Sequence, residues 1–434
     1  MFLKDWDLNL KIRLFGEGIT NVLFWMFFPF MSVYFSQAFG KEWAGGMLVF
    51  SQLLGVIANL IGGYCADRFG RKRMMELSAL AQGISFLVFA FANSPWYTSP
   101  ILTYISFAAL GICGSLYWPA SHAMVADLVK EEDRNQVFAI FYTAINLSVV
   151  IGPLLGSIFF FHYRFGLLLV AALTAFVLSL LIRRYVRETI PGRAVVHKGN
   201  RFTARGWRQF VHSHLQDYRV ILSDRTFMLF ILAGILVAQT FMQLDLALSI
   251  YVTEKFPKQT LFHVGEWSLE AGGTTFFGWL VAENGLLIAL FTVWVSRWVS
   301  RMREKRVFLS SAFLYGVSML VFGSSTNMWV ALAAMVLFTV GELLVVGLQE
   351  SFVSKLAPEH IRGQYFAAAS LRFTIGKTLA PFAIPLAAWI GYGWMFVVLA
   401  FLAWLGGIIY MAMFRRLERQ PVIIAADHSM HEIS

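Results

Sequence analysis

Apolar stretches of about 20 residues recur along almost the whole chain, each long enough to cross a hydrocarbon layer roughly 30 Å thick. Short polar connections between them carry most of the charge. Inside a bilayer the backbone finds no water, so the spans are helices or the strands of a closed barrel. Runs such as 166–182 and 307–323 show no period-two alternation, which leaves helices. The pattern predicts twelve spans, at 14–39, 43–66, 74–93, 99–127, 136–160, 164–186, 226–253, 279–300, 306–325, 328–355, 363–390 and 391–414. No cleavage site of small residues follows the first apolar run, so it reads as a retained span rather than a signal peptide. One polar stretch, 187–225, is long enough to divide two sets of six. The expected fold is all-α and membrane-integral: a six-helix bundle over 1–190, a linker over 191–225, and a second six-helix bundle with a tail over 226–434.

Composition agrees. Of 434 residues 58% are apolar, 16% aromatic and 14% charged, whereas soluble domains carry about 25% charged residues. Cys65 and Cys113 both fall inside predicted helices and read as buried thiols, without a disulfide or metal framework. The net charge of +10 looks at first like a nucleic-acid surface, but its distribution follows membrane side. Of the 35 Lys and Arg, 29 fall at the ends of the spans that carry the termini and the central segment. Only Lys41, Arg164, Lys255 and Lys258 fall at the opposite ends, and Arg372 and Lys377 lie within span eleven. The positive-inside rule then puts both termini in the cytoplasm of a multi-pass plasma-membrane protein, bacterial in character, with no nucleic-acid partner. Arg201, Arg205 and Arg208, interleaved with Phe202 and Trp207, read either as an amphipathic helix on the anionic leaflet or as a solvated linker.

The two halves repeat. At an offset of 228, Leu128, Glu131, Arg134, Gln136 and the pair Phe138-Ala139 recur as Leu356, Glu359, Arg362, Gln364 and Phe366-Ala367, and Pro153 recurs as Pro381. Both segments lie at the same membrane side, as in parallel repeats related by an axis along the membrane normal.

Between spans two and three the chain reads Gly63-Tyr-Cys-Ala-Asp67-Arg68-Phe-Gly70-Arg71-Lys72-Arg73. In this loop Gly63 permits close helix contact, Gly70 a sharp turn, and Arg71 a pairing with a carboxylate at the end of span four, for which Asp127 is the candidate. This is the G-x-x-x-D-R-x-G-R-K-x signature, and with the topology and the repeat the whole chain resembles the major facilitator superfamily. Within it, Gln243-Leu-Asp245, Gly341-Glu342 and Asn146-Leu-Ser148-Val-Val-Ile-Gly152 resemble the twelve-span drug–proton antiporters of the LmrP type. Gly152-Pro153-Leu-Leu-Gly156-Ser157 is a reduced form of the antiporter motif, with Ala139 and Ser148 at the upstream glycine positions. The span-four arginine of many such exporters is Phe107 here.

The resemblance implies rocker-switch alternating access and proton-driven efflux of amphipathic or cationic drugs, with antibiotic resistance as the outcome. It implies the proton gradient as energy source and no cofactor or metal. Its partners would be small cationic or amphipathic substrates, protons and membrane lipids, acting on a monomer. Charged groups at mid-bilayer are costly and usually functional, and this singles out Asp245 and Glu342, where proton and cation would compete for one carboxylate. Glu350 lies two turns below Glu342 and would relay protons or pair with Arg372. Glu17, four residues after Arg13, reads as a helix pair, and Glu283 as a solvated group at the outer mouth of span eight. Asn21, Tyr117 and Trp118 join Asp245 and Glu342 as candidate substrate contacts. A lipid or glycolipid flippase on the same fold is the alternative. No phosphate-binding G-x-x-x-x-G-K-[ST] loop and no nucleophile triad is present, so neither ATP-driven transport nor an enzyme is expected.

Overall fold

The computed structural model describes residues 6–189, 223–264, 267–346, 348–356 and 362–419. The segment with Arg201, Arg205 and Arg208 lies outside them, as do the side chains of Asp67 and Glu350. The helices are α1 (Leu8–Phe39), α2 (Lys41–Phe69), α3 (Arg71–Phe91), α4 (Pro100–Leu128), α5 (Glu131–Tyr185), α6 (Arg225–Phe241), α7 (Ala247–Lys255), α8 (Gly273–Val299), α9 (Glu304–Ser324), α10 (Met328–Val345), α11 (Leu348–Leu356), α12 (Arg362–Leu379) and α13 (Ala383–Glu418). Ten described stretches are long and apolar enough to cross a membrane. Two of these hold two spans each, joined at non-helical residues: spans five and six at Tyr163 and spans eleven and twelve at Gly391. The result is the expected twelve-span membrane fold of two six-helix bundles.

The helix ends have local causes. Asp7, Ser99, Asp224 and Asn327 each accept a hydrogen bond from a backbone N–H of the first turn of α1, α4, α6 and α10, the usual N-cap chemistry. Gly40 and Gly70 form one-residue joints at φ of 80° and 102°, a region that only glycine adopts readily, so α1–α2 and α2–α3 turn without a loop.

Two features depart from the hydropathy reading. Span seven is not one helix over 226–253: α6 ends at Phe241, a 3-10 turn covers Met242–Asp245, and Leu246 is non-helical at φ −119° and ψ −96° before α7 resumes. No glycine or proline marks the break, which is why hydropathy alone does not show it. Second, an antiparallel hairpin, β1 (Gln259–Val264) with β2 (Trp267–Ala271), precedes span eight. Span eight therefore starts at Gly273 rather than 279.

The chain forms two compact units, one of Met1–Gly199, Gln243–Leu286 and Pro381–Gly391, the other of Asn200–Met242, Leu287–Ala380 and Tyr392–Ser434. In the first, α1 packs on span five at backbone distance: a Cβ on Gly152 would lie 3.0 Å from the Val22 carbonyl oxygen, and one on Gly156 2.8 Å from both the Met26 carbonyl carbon and Phe30 Cε2. Aromatic stacking continues this seam, Phe30 lying 5.8 Å from both Phe160 and Phe277. In the second unit, α6, α9, α11 and α13 meet around Phe230, Phe308, Phe352 and Tyr410.

Candidate functional site

Span seven's break sits where Asp245 lies. A helix interrupted inside a membrane frees carbonyl oxygens that a continuous helix would use, and transporters build ion sites from such segments. The Asp245 carbonyl accepts from Ser32 Oγ of α1 at 3.4 Å and from Ser249 Oγ at 3.5 Å. The two hydroxyls hydrogen-bond to each other at 2.8 Å, and Ser249 also donates to Leu246 O at 2.6 Å. Gln243 is fully buried beside them, and the Asp245 side chain is half-buried. The break thus brings the Asp245 and Leu246 carbonyls against the hydroxyls of Ser249 and, from α1, Ser32.

Glu342 belongs to the other unit, half-buried in the last turns of α10. The Gly341 carbonyl beside it accepts from the buried Ser311 Oγ at 2.6 Å. Phe241, Tyr315 and Phe338 form a ring cluster there, with centroids 5.0 Å apart for Tyr315–Phe338 and 6.0 Å for Phe241–Phe338. Between Glu342 and Glu350 the described helix stops at Val345 and restarts at Leu348. Arg372 is buried in α12 against Gly234 of α6, its guanidinium 4.9 Å from the Phe230 ring centre and 4.8 Å from that of Phe373.

Around α1 and α4 the sequence pointed at Asn21, Tyr117 and Trp118. Tyr117 donates its hydroxyl to Glu17 at 2.9 Å, and Ser121 donates to the same oxygen at 2.8 Å. Arg13 meets Glu17 at 2.8 Å through Nε and 3.3 Å through Nη2, and also hydrogen-bonds Ser121. The predicted Arg13–Glu17 pair is therefore one edge of a buried four-residue network that ties α1 to α4. Ser121 carries no signal in the sequence. Asn21 is half-buried one turn further along α1. Trp118 is 36% exposed, its ring 5.0 Å from His122.

Near the same end of these helices lies the 2–3 motif. Arg71 Nε is 3.1 Å from Asp127 Oδ2, and Thr189 Oγ1 donates to the same carboxylate at 2.8 Å. Glu188 accepts the backbone N–H groups of Arg71 at 3.0 Å and Lys72 at 3.2 Å, capping α3. It fills the space where a Cβ on Gly70 would fall. Neither Glu188 nor Thr189 is part of the motif, since both come from the end of span six. Arg68 donates to Tyr64 at 2.9 Å. One expectation is corrected: a Cβ on Gly63 would meet nothing within 4 Å, whereas one on Gly62 would lie 3.0 Å from Leu116 Cα, so Gly62 makes the close helix contact. In span five, Gly152 and Gly156 give the close packing described above, Ser148 donates to Gly18 O at 3.3 Å, and Pro153 turns its carbonyl toward Gly278 of α8. Phe107, at the place of the missing arginine, is buried 5.5 Å from the Phe35 ring.

At the far ends of the spans, two polar contacts join elements within the first unit. Lys41 at the start of α2 bonds Glu254 of α7 at 2.7 Å, and Trp389 Nε1 donates to Glu42 at 3.1 Å. Lys258 and Glu270 pair across the foot of the hairpin, and this pairing holds the Glu270 carboxyl below its ordinary range.

The chain is similar to known transporters over most of its length. A protein of Planococcus maritimus named a Na(+), Li(+), K(+)/H(+) antiporter is 52% identical over 97% of this chain and 99% of its own length. The multidrug resistance protein MdtH of Salmonella typhimurium is 25% identical over 89% of this chain and 86% of its own. Among solved structures, a POT family transporter in complex with 5-aminolevulinic acid superposes with a TM-score of 0.74 at 19% identity, covering 93% of this chain and 95% of that one. The sequence profile of the Major Facilitator Superfamily matches residues 14–265 and 266–429, almost the whole of both halves. With its twelve spans, its 2–3 loop motif and transporters as its relatives, the chain is a secondary transporter rather than an enzyme, and it belongs to the Major Facilitator Superfamily.

Proposed function

We propose that this protein is an antiporter that exchanges a monovalent alkali cation for protons, with Asp245 and Glu342 as the coupling carboxylates. The observation that carries this reading is the 52% identity, over both full lengths, to the Planococcus maritimus protein named for exchange of sodium, lithium and potassium against protons. The local chemistry supports it. Alkali cations are hard and take oxygen ligands, and the break at Met242–Leu246 carries Asp245, whose backbone carbonyl meets the hydroxyls of Ser32 and Ser249. A carboxylate that holds either a proton or a cation exchanges them without further chemistry. We further propose that the basic end of the molecule faces the cytoplasm, that the Arg71–Asp127 latch works there, and that the segments 1–190 and 226–434 act as the two moving halves.

A second reading, efflux of organic cations or amphipathic drugs, is favoured by the rings of Phe241, Tyr315 and Phe338 beside Glu342 and by the MdtH relatives. Reconstitution separates the two. Protein in vesicles with an imposed pH gradient is offered sodium, potassium and an ethidium-like cation in turn. Alkali-cation flux that is lost in Asp245→Asn with Glu342→Gln supports exchange at these carboxyls. Flux of the organic cation alone transfers the assignment to drug efflux.

A further inference from the structure

Span eight holds a carboxyl that none of this uses. Because α8 begins at Gly273, Glu283 is ten residues inside it, about 15 Å along the axis at 1.5 Å per residue, near mid-membrane rather than at the mouth. The side chain is half-buried rather than the freely solvated group expected. Its Oε2 is shut off from solvent and has no hydrogen-bond partner among the described residues. The neighbouring Asn284 is buried.

Among the described residues, no cation on the elements packed on this part of α8 forms an ion pair with Glu283. Span five lies against it: a Cβ on Gly278 would come 2.8 Å from Ser157 and 3.1 Å from Pro153 O, and one on Gly285 would run into Val150. Between Val137 and Phe161, span five contains no Asp, Glu, Lys, Arg or His, and Tyr142 is its one ionisable residue. α1 reaches the same helix through Phe30 and Phe277. Of its ionisable groups, Arg13 and Glu17 pair with each other, Tyr34 lies under Arg164 and Lys11 is at the far end. α7, which meets α8 at Gly273, brings Tyr251, Lys255 and Glu254, the last paired with Lys41. No described cation forms an ion pair with Glu283.

A bare carboxylate oxygen is strongly disfavoured where neither water nor a donor reaches it. We infer that Glu283 carries a proton in this conformation and releases it when transport rearranges the contact between spans five and eight, making it a proton-carrying carboxyl separate from Asp245 and Glu342. The step is a simple ionisation: the O–H bond of the carboxyl breaks and the proton passes to water on one side. The carboxylate then takes a proton from water on the other side, with no change of oxidation state. Gly278 and Gly285 let span five seat closely against α8 on either side of Glu283 in sequence, and movement of that helix would change the surroundings of the group. This inference rests on the antiport reading for its role in exchange but not for the protonation itself.

Two measurements test it on the full-length protein. Infrared difference spectroscopy at neutral pH reads the protonated carboxyl directly. A carboxylic-acid carbonyl band is expected in the wild type, missing in Glu283→Gln and shifted in Glu283→Asp. A band that Glu283→Gln leaves unchanged shows that the group is ionised and overturns the inference. In vesicles, Glu283→Gln is expected to lower pH-driven sodium uptake at least tenfold while sodium counterflow at equal pH persists. Loss of the band together with unchanged pH-driven uptake reduces Glu283 to a neutral structural group and also overturns it. A wild type without alkali-cation exchange would remove the antiport reading, and the carbonyl band would then decide the proton alone. If Glu283→Gln does not fold, Glu283→Asp keeps both readouts.

Discussion

Two charge pairs show how differently the same chemistry behaves at two depths. Arg13 and Glu17 are buried together with Tyr117 and Ser121, so neutralising one member leaves the other charge stranded. Glu17→Gln is expected to destabilise the protein by about 3–5 kcal/mol, while replacing both Arg13 and Glu17 by methionine is milder. Thermal unfolding in detergent checks this ordering, and a milder effect of the single change contradicts it. Arg71 and Asp127 are partly exposed, and such a pair contributes at most about 1 kcal/mol. Asp127→Asn should therefore leave the melting temperature nearly unchanged but slow transport several-fold, with partial recovery in the charge-exchanged Arg71→Asp, Asp127→Arg protein. Glu188→Ala removes the cap of α3 and is expected to cost on the order of 1 kcal/mol. The sequence pointed to Arg13, Glu17, Arg71 and Asp127 because i,i+4 spacing and a loop motif are local patterns. Ser121, Glu188 and Thr189 complete the same clusters from distant segments, and nothing in one-dimensional spacing marks a serine for that purpose.

Among the elements, glycine placement decides which faces touch. The motif names Gly63, but the contact belongs to Gly62. Gly63→Ala should be neutral or slightly stabilising, as alanine is the better helix former, and Gly62→Ala should lower stability by pushing α2 away from Leu116. Melting curves of the two variants side by side test this, and equal effects would refute the assignment. Gly152 and Gly156 face backbone atoms of α1, which cannot swing aside as side chains do, so Gly156→Val is expected to fail in folding or transport. Hydropathy located the spans because twenty apolar residues are a strong signal, and the joints at Tyr163 and Gly391 fall at the predicted boundaries. It missed the break in span seven because Met242–Leu246 is as apolar as its flanks except for Gln243 and Asp245. It set span eight six residues late because the threonines and glycines around Gly273 dilute the window, and that error carried Glu283 from mid-membrane to the mouth.

For the whole molecule, the ion pair Lys41–Glu254 and the Trp389–Glu42 hydrogen bond join α2 to α7 and to the Pro381–Gly391 segment at the far membrane level. Removing them in Lys41→Ala with Trp389→Phe is expected to raise the labelling of a cysteine placed at Ser249 by a membrane-impermeant reagent added outside. Unchanged labelling would show that these contacts do not hold that side shut. The central claim is exchange of an alkali cation for protons at Asp245 and Glu342, and it is tested most directly in acid-loaded proteoliposomes carrying an internal pH dye. Sodium, lithium or potassium added outside should alkalinise the lumen, with the half-saturating cation concentration falling as external pH rises because fewer protons compete. Asp245→Asn with Glu342→Gln should abolish the signal. Alkalinisation that needs no cation, or that survives the double substitution, contradicts the account.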